Sequence, residues 1–246
     1  MSKKLKVIDL FSGIGGFSLG LERTGGFETV AFCEIEKYPR KVLAKHWPDV
    51  PIYEDVRNVT GARLTADGIA VDVITGGFPC QDISQAGKQS GIGEGTRSGL
   101  WSEIARLVGE LRPKYVIVEN VSALLSGPSD RRGAWFGRVL GDLAEVGYDA
   151  EWHSIPASSI GAEHHRDRVW IIAYPNTAQL EGGCISSRIY SQHANFGNSR
   201  WGKDKPGVVR TLNGVSSQMD RLAGLGNAVV PQIPEIIGRA ILGATS

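Results

Sequence analysis

Seven short runs dense in apolar and β-branched residues punctuate the chain: LKVIDLF (5–11), TVAFCE (29–34), IYEDV (52–56), VDVITGG (71–77), KYVIVENV (114–121), DAEWHSI (149–155) and RVWIIAY (168–174). Several are nearly continuous in apolar character, as strands covered on both faces are. Between them, YPRKVLAKHW, GLWSEIARLVGEL and AWFGRVLGDLAEVG space apolar residues three and four apart, and the last two finish near Gly or Pro, as helices do. Strand alternating with helix predicts an α/β fold with a mainly parallel, doubly wound sheet.

Two segments break the alternation. QDISQAGKQSGIGEGTRSG (81–99) is a long polar, Gly-rich loop, and its place directly after Cys80 suits a lid. The stretch from Pro175 to Val209 is polar, carries turn residues throughout and shows no clear period, so it reads as an insert. After it, LAGLGNAVVPQIPEIIGRAIL returns to an apolar helix. The expected organisation is a catalytic unit over 1–174, a short recognition region over 175–209, and a segment over 210–246 that rejoins the first unit.

At 246 residues, 41% apolar and 22% charged, the chain suits one soluble core. No apolar run approaches the roughly 20 residues that span a bilayer, and MSKKLKVIDLF lacks a signal peptide's apolar stretch, so a cytoplasmic protein without membrane contact is expected. Cys33, Cys80 and Cys184 are odd in number and far apart, which argues against disulfides and a zinc site. A net charge of +1 gives no whole-chain reason to expect a polyanion. Between Pro175 and Gly214, however, Arg188, Arg200, Lys203, Lys205 and Arg210 face only Glu181 and Asp204, with Tyr190, Phe196 and Trp201 interleaved. That mixture fits either a polyanion-binding surface or a solvated insert.

Candidate chemistry collects at strand ends. DLFSGIGGFSLG (9–20) is a strand running into a Gly-rich turn and then a helix, where backbone can approach a nucleotide-like cofactor closely. Its spacing is not that of a dinucleotide fingerprint. Glu34 and Asp55 end the next two strands, one placed for ribose hydroxyls and one for an adenine amine; acids at strand ends are also ordinary loop residues. Cys80 ends the fourth strand in GGFPCQDIS and Glu119 the fifth in ENV. On the same sheet edge, a thiol and a carboxylic acid make a nucleophile and a proton donor, although Cys80 taken alone could also be a buried inert cysteine.

In order, DLFSGIGGFSLG, GGFPCQDIS, ENV, EHHRDRVWIIA and GLGNAVVP resemble the motifs of cytosine-C5 DNA methyltransferases of compact bacterial or phage type. The resemblance spans nearly the whole chain, apart from about 35 residues after Pro175. It implies a Rossmann-like methyltransferase fold, in the cytoplasm of a bacterial host cell, and an enzyme that methylates C5 of a flipped cytosine in double-stranded DNA. Cys80 resembles the nucleophile that adds to C6, Glu119 the acid that holds N3 and the exocyclic amine, and Arg168, with Arg166 beside it, the arginine at the target base. The implied methyl donor is S-adenosyl-L-methionine, leaving S-adenosyl-L-homocysteine. Its pocket would comprise Phe11, Ser12, Gly13, Gly15 and Gly16, Glu34, Ile35, Asp55 and Val56, completed by Pro79, Leu100, Asn227 and Ala228.

DNA contacts are expected from Gln81 and Ser84 after the nucleophile, from Arg97 at the far end of the lid, and from Arg188, Arg200, Lys203 and Arg210. Gln192, Asn195 and Asn198 are further candidates for base edges, which such side chains read in the major groove. Arg97 could equally be a solvated loop residue. Two departures stand out: His164 occupies a position where the family usually has Gln, and the recognition region is short, which predicts a short target site or loose specificity. A tRNA-methylating branch shares these motifs but carries a CFT triplet that this chain lacks. A modified donor, giving a different C5 substituent, is compatible with the same motifs, whereas the intact Cys80, Glu119, Arg168 and cofactor motifs speak against a catalytically silent DNA-binding protein. A monomer is expected because one chain supplies every motif, with an associated restriction endonuclease left open.

Overall fold

The computed structural model describes residues 3–79, 100–127, 132–162, 166–178, 184–196 and 228–244. Cys80, Gln81, Ser84, Arg97, His164, Asn198, Arg200, Lys203, Arg210 and Asn227 lie outside them.

All seven predicted strands are present: β1 (Leu5–Leu10), β2 (Phe27–Cys33), β3 (Ile52–Tyr53), β4 (Val73–Gly76), β5 (Tyr115–Val121), β6 (Tyr148–Pro156) and β7 (Asp167–Pro175). They form one sheet in the order β3-β2-β1-β4-β5-β7-β6. The first five run parallel, while β7 inserts antiparallel between β5 and β6. The short link from Pro156 to Asp167 explains this, since a parallel crossover needs about a dozen residues or more.

The helices are α1 (Gly16–Glu22), α2 (Lys37–His46), α3 (Gly61–Ala66), α4 (Trp101–Leu111), α5 (Ala134–Glu145), α6 (Ile185–Phe196) and α7 (Gln232–Ala244). Alternate residues of each central strand feed two apolar layers. Val116, Val118, Ile171 and Ala173 join α4 and α5 on one face. On the other, Tyr115, Ile117, Trp170 and Ile172 join α1, α6 and α7. Burial on both faces is why these strands read as continuous apolar runs.

Two elements differ from the sequence expectation. The stretch after Pro175 contains a regular helix, α6, whose buried residues Ile185 and Ile189 stand one turn apart among Ser and Arg. Its N-terminus is held by a distant side chain: Glu151 of β6 accepts from the backbone N–H of Ile185 (3.1 Å) and Ser186 (2.7 Å) and from the Tyr174 hydroxyl (2.7 Å). At the other end, α7 occupies only Gln232–Ala244, and residues 228–230 approach it without helical structure.

That approach joins the chain's two ends. A Cβ on Gly16 would lie 2.5 Å from the Val229 carbonyl oxygen, and one on Gly20 only 2.1 Å from that of Pro231. Backbone lies against backbone, so neither side can yield by a rotamer change. Gly20→Ala is expected to lower stability by about 2 kcal/mol, roughly 4–8 °C in Tm. An unchanged melting curve would show that α1 and residues 228–231 do not pack this way.

Candidate active site

The carboxyl ends of β1 to β5 and the start of β7 open on one edge of the sheet, and there the structure gathers most of the predicted residues. On β3's side, Asp55 accepts from the backbone N–H of Arg57 (3.0 Å) and pairs with its guanidinium (2.6 Å), which holds the carboxyl below its ordinary range. Val56 follows, buried, its carbonyl accepting from Arg106 (3.2 Å). At the end of β2, Glu34 is 8% exposed and accepts from the backbone N–H of Gly13 (2.7 Å) and Glu36 (2.8 Å). Burial nevertheless raises its pKa. Ile35 is 62% exposed, an apolar side chain turned out of the fold directly beside that acid.

The Gly-rich turn lies between. Phe11 takes a left-handed conformation (φ 53°), as does Gly15 (φ 85°) at the start of α1. Among the described residues only Phe11, Arg112 and Arg166 do this without being glycine, so two of the three are predicted site residues; such strained backbone concentrates at functional sites. The Ser12 hydroxyl is spent inside the fold, donating to the Asp9 carbonyl (2.5 Å), while its N–H reaches the Cys33 carbonyl (3.1 Å). The space beside Gly13 is open, since a Cβ there would meet no heavy atom within 4 Å. A buried acid, an exposed aliphatic side chain and an open backbone turn fit a ribose, an adenine and a methionine tail. Pro79, Leu100 and Ala228 are all half-buried; Pro79 follows β4, and Ala228 precedes Val229, which lies against Gly16.

Toward β5, Phe78 is buried against Trp101 (ring centroids 5.6 Å), and its carbonyl accepts from Asn120 Nδ2 (3.0 Å). The chain leading to Cys80 is thereby tied to β5. Next to Asn120, Glu119 is 9% exposed, and its Oε1 meets Arg168 Nε at 2.9 Å. The pairing follows from register, since Val121 stands opposite Arg168 and Glu119 opposite Trp170 on β7. Oε2 faces Gly77, where a Cβ would come within 3.3 Å. Burial raises the Glu119 pKa against the opposing pull of Arg168 and Arg166. Arg166 takes φ 25° just before β7 and accepts through its carbonyl from the Ala157 N–H (3.2 Å).

Arg188 is not brought to this edge. It lies on α6 beside Gly243, where a Cβ would stand 3.0 Å from its Nη1, near the end of α7 that runs away from the Gly-rich turn. Gln192 and Asn195 fall on the same helix. Three residues at the site are not among the predicted ones, although two of them lie inside the motifs. Asn120 is the middle residue of ENV. Asp9, fully buried, opens the Gly-rich motif DLFSGIGGFSLG. Trp47 closes over Gly15, with its ring atoms 2.7 Å from a Cβ there and its indole N–H donating to Glu22 (3.0 Å), and nothing local marks it.

A family model described as C-5 cytosine-specific DNA methylase matches residues 5–223. The chain is 36% identical over 181 residues to the Type II methyltransferase M.Sau3AI of Staphylococcus aureus, covering 70% of this chain and 43% of that protein. It is 33% identical over 228 residues to M.CviJI of Paramecium bursaria Chlorella virus IL3A, covering 92% and 56%. The chain thus spans about half the length of these relatives or less. A DNA modification methyltransferase encoded within an E. coli prophage superposes with a TM-score of 0.61 at 28% identity, over 73% of this chain and 49% of that one. Spodoptera frugiperda DNMT2 shares the fold at 20% identity and a TM-score of 0.58, over 72% and 52%. With the motifs in order, their described residues at one sheet edge and the family model covering most of its length, the chain belongs to the C-5 cytosine-specific DNA methylase family.

Proposed function

We propose that the protein methylates C5 of a cytosine flipped out of double-stranded DNA, through a transient bond between Cys80 and C6 of the base. The observation that carries this reading is the pair of buried Glu119 with half-buried Arg168 (2.9 Å), set beside the residues that lead to Cys80. S-adenosyl-L-methionine, when bound, supplies the methyl group. Glu34 would hold its ribose, Ile35 and Asp55 its adenine, and the open turn at Gly13 its amino-acid end.

The chain's own residues would act as follows. The Cys80 thiolate bonds to C6 and opens the C5–C6 double bond, placing electron density at C5. Glu119 holds a proton at N3, so that negative charge does not accumulate on the ring. Arg168 fixes the Glu119 carboxyl through Oε1 and leaves Oε2 for the base. After C5 is methylated, its proton leaves to a base, the C5–C6 double bond re-forms and Cys80 departs as thiolate. Flipping is required because C6 cannot be reached inside a stacked duplex.

The test is base-resolution bisulfite sequencing of plasmid DNA from a methylation-deficient bacterial host expressing the protein. Protected cytosines within one short motif support the reading; no protection despite soluble protein overturns it. The short recognition region also predicts a target below six defined base pairs, and a longer one would refute that part. The protein would act as a monomer, and among the described residues no helix is long and apolar enough to cross a membrane.

A further inference from the structure

One buried carboxylate has no place in this scheme. Asp9, second from the end of β1, is fully buried on the face that carries Val7 and α1. Its Oδ1 accepts from Thr75 Oγ1 (2.8 Å) on β4 and its Oδ2 from Ser18 Oγ (2.9 Å) on α1. Asp9 and Thr75 stand directly opposite in the β1–β4 register. Its donors are all neutral, the Thr75 and Ser18 hydroxyls and the Ser18 backbone N–H in the first turn of α1, and no cation among the described residues pairs with the group. A buried carboxylate without a counter-ion is costly, and a neutral isostere would serve the same packing more cheaply. Carboxylates perturbed in this way cluster at functional sites.

The order of the strands shows where a charge would act. The ribose acid, Glu34, ends β2, whereas the acceptor residues follow β4 and end β5. Sheet order places β1 between β2 and β4. A donor whose nucleoside end sits at β2 and whose methyl reaches the residue after β4 must carry its sulfur over β1 and β4, with strands spaced about 4.8 Å apart. Asp9 is second from the end of β1, the strand that such a span must cross.

We propose that Asp9 is the counter-charge of the donor's sulfonium, favouring the cationic S-adenosyl-L-methionine over its neutral thioether product without touching either. This rests on the donor assigned above. Asp9 is a positioning residue that acts through its field. It favours the charged donor before transfer and loses that attraction once the sulfur is neutral, which assists product release.

The groups facing Asp9 are Thr75 from β4, Ser18 from α1 and, at longer range, Glu34 from β2, whose charge repels it. Cys33 on β2 is a buried thiol pushed up to about 12 and stays neutral. Glu235 of α7, which packs on α1, is paired with Arg239 (2.9 Å). Burial raises Asp9 to about 7, so it gains its charge across neutrality. The charged donor binds best when Asp9 is ionised, so donor affinity rises with pH through that range. Glu34 titrates too; its contact with the ribose is common to donor and product and cancels in the ratio of their affinities, and its more distant field on the sulfur is a smaller contribution that wild type and variant share.

The experiment is calorimetric titration of the full chain with S-adenosyl-L-methionine and separately with S-adenosyl-L-homocysteine, for wild type and Asp9→Asn. The donor-to-product affinity ratio should fall about tenfold in the variant, the scale of one charge roughly 10 Å away at an effective dielectric constant of about 20. In wild type the same ratio should rise between about pH 5.5 and 8.5 and be flat in the variant. Equal losses for both ligands, or a wild-type ratio independent of pH, would overturn the inference. The wild-type pH series decides it even if Asp9→Asn does not fold. Failure of wild type to bind either ligand would instead overturn the donor assignment, and this inference with it.

Discussion

Cys80→Ala is expected to abolish methyl transfer, a fall on the order of 10⁴-fold or more, since a nucleophile's removal leaves only binding and positioning behind. Donor affinity should stay within about twofold of wild type. The contrast follows from the layout of the sheet edge. The residues that would hold the donor end β1, β2 and β3, while Cys80 follows β4. The approach to Cys80 is fixed independently of its sulfur, by Phe78 packed on Trp101 (5.6 Å) and bonded through its carbonyl to Asn120 (3.0 Å). Alanine therefore removes the thiol and little else. Transfer of labelled methyl to DNA, measured beside calorimetric titration of the donor, separates the two effects. Substantial remaining turnover would sink covalent catalysis, and lost donor binding would show that the variant's defect is structural.

The sheet is legible in the sequence because β1, β4, β5 and β7 are buried on both faces, which writes an apolar run into the chain whatever the neighbours are. The Gly-rich turn and the acid ending each flanking strand are legible for a related reason, since strand ends in such sheets carry the chemistry. What escapes is set by partners distant in sequence. In its first turns helix α6 offers Ile185 and Ile189 as buried residues among Ser and Arg, a short mark of its period, and its capping carboxylate is Glu151, more than thirty residues upstream. The packing of the helix that carries Arg188 on α7 is set by Ile185 and Ile189. Trp47 acts on Gly15 only because α2 returns it there. Asp9 stands in plain view within the motif, but an acid inside an apolar strand declares its burial only once Thr75 and Ser18 are seen to face it.

Glu119→Gln should lower the rate by about 10²-fold or more, the scale of a lost general acid. The amide keeps an oxygen for Arg168 Nε and the shape of the side chain, so the fold should melt close to wild type. Glu119→Ala should melt lower, because it leaves the half-buried Arg168 guanidinium without the carboxylate it meets at 2.9 Å. The pH dependence distinguishes the proton from the packing. Burial raises the Glu119 pKa while Arg168 and Arg166 lower it, and burial prevails. The step needs the protonated acid, so the rate falls as pH rises through that raised pKa. In Glu119→Gln this basic limb should vanish, since the amide has no proton to lose. In Arg168→Lys the opposing pull weakens as the bond to Nε is lost, and the limb should move to higher pH. An unchanged rate in Glu119→Gln would remove Glu119 from its role. A basic limb that persists in the variant would assign the titration to another group, and the proton at N3 would then have to come from elsewhere on this edge.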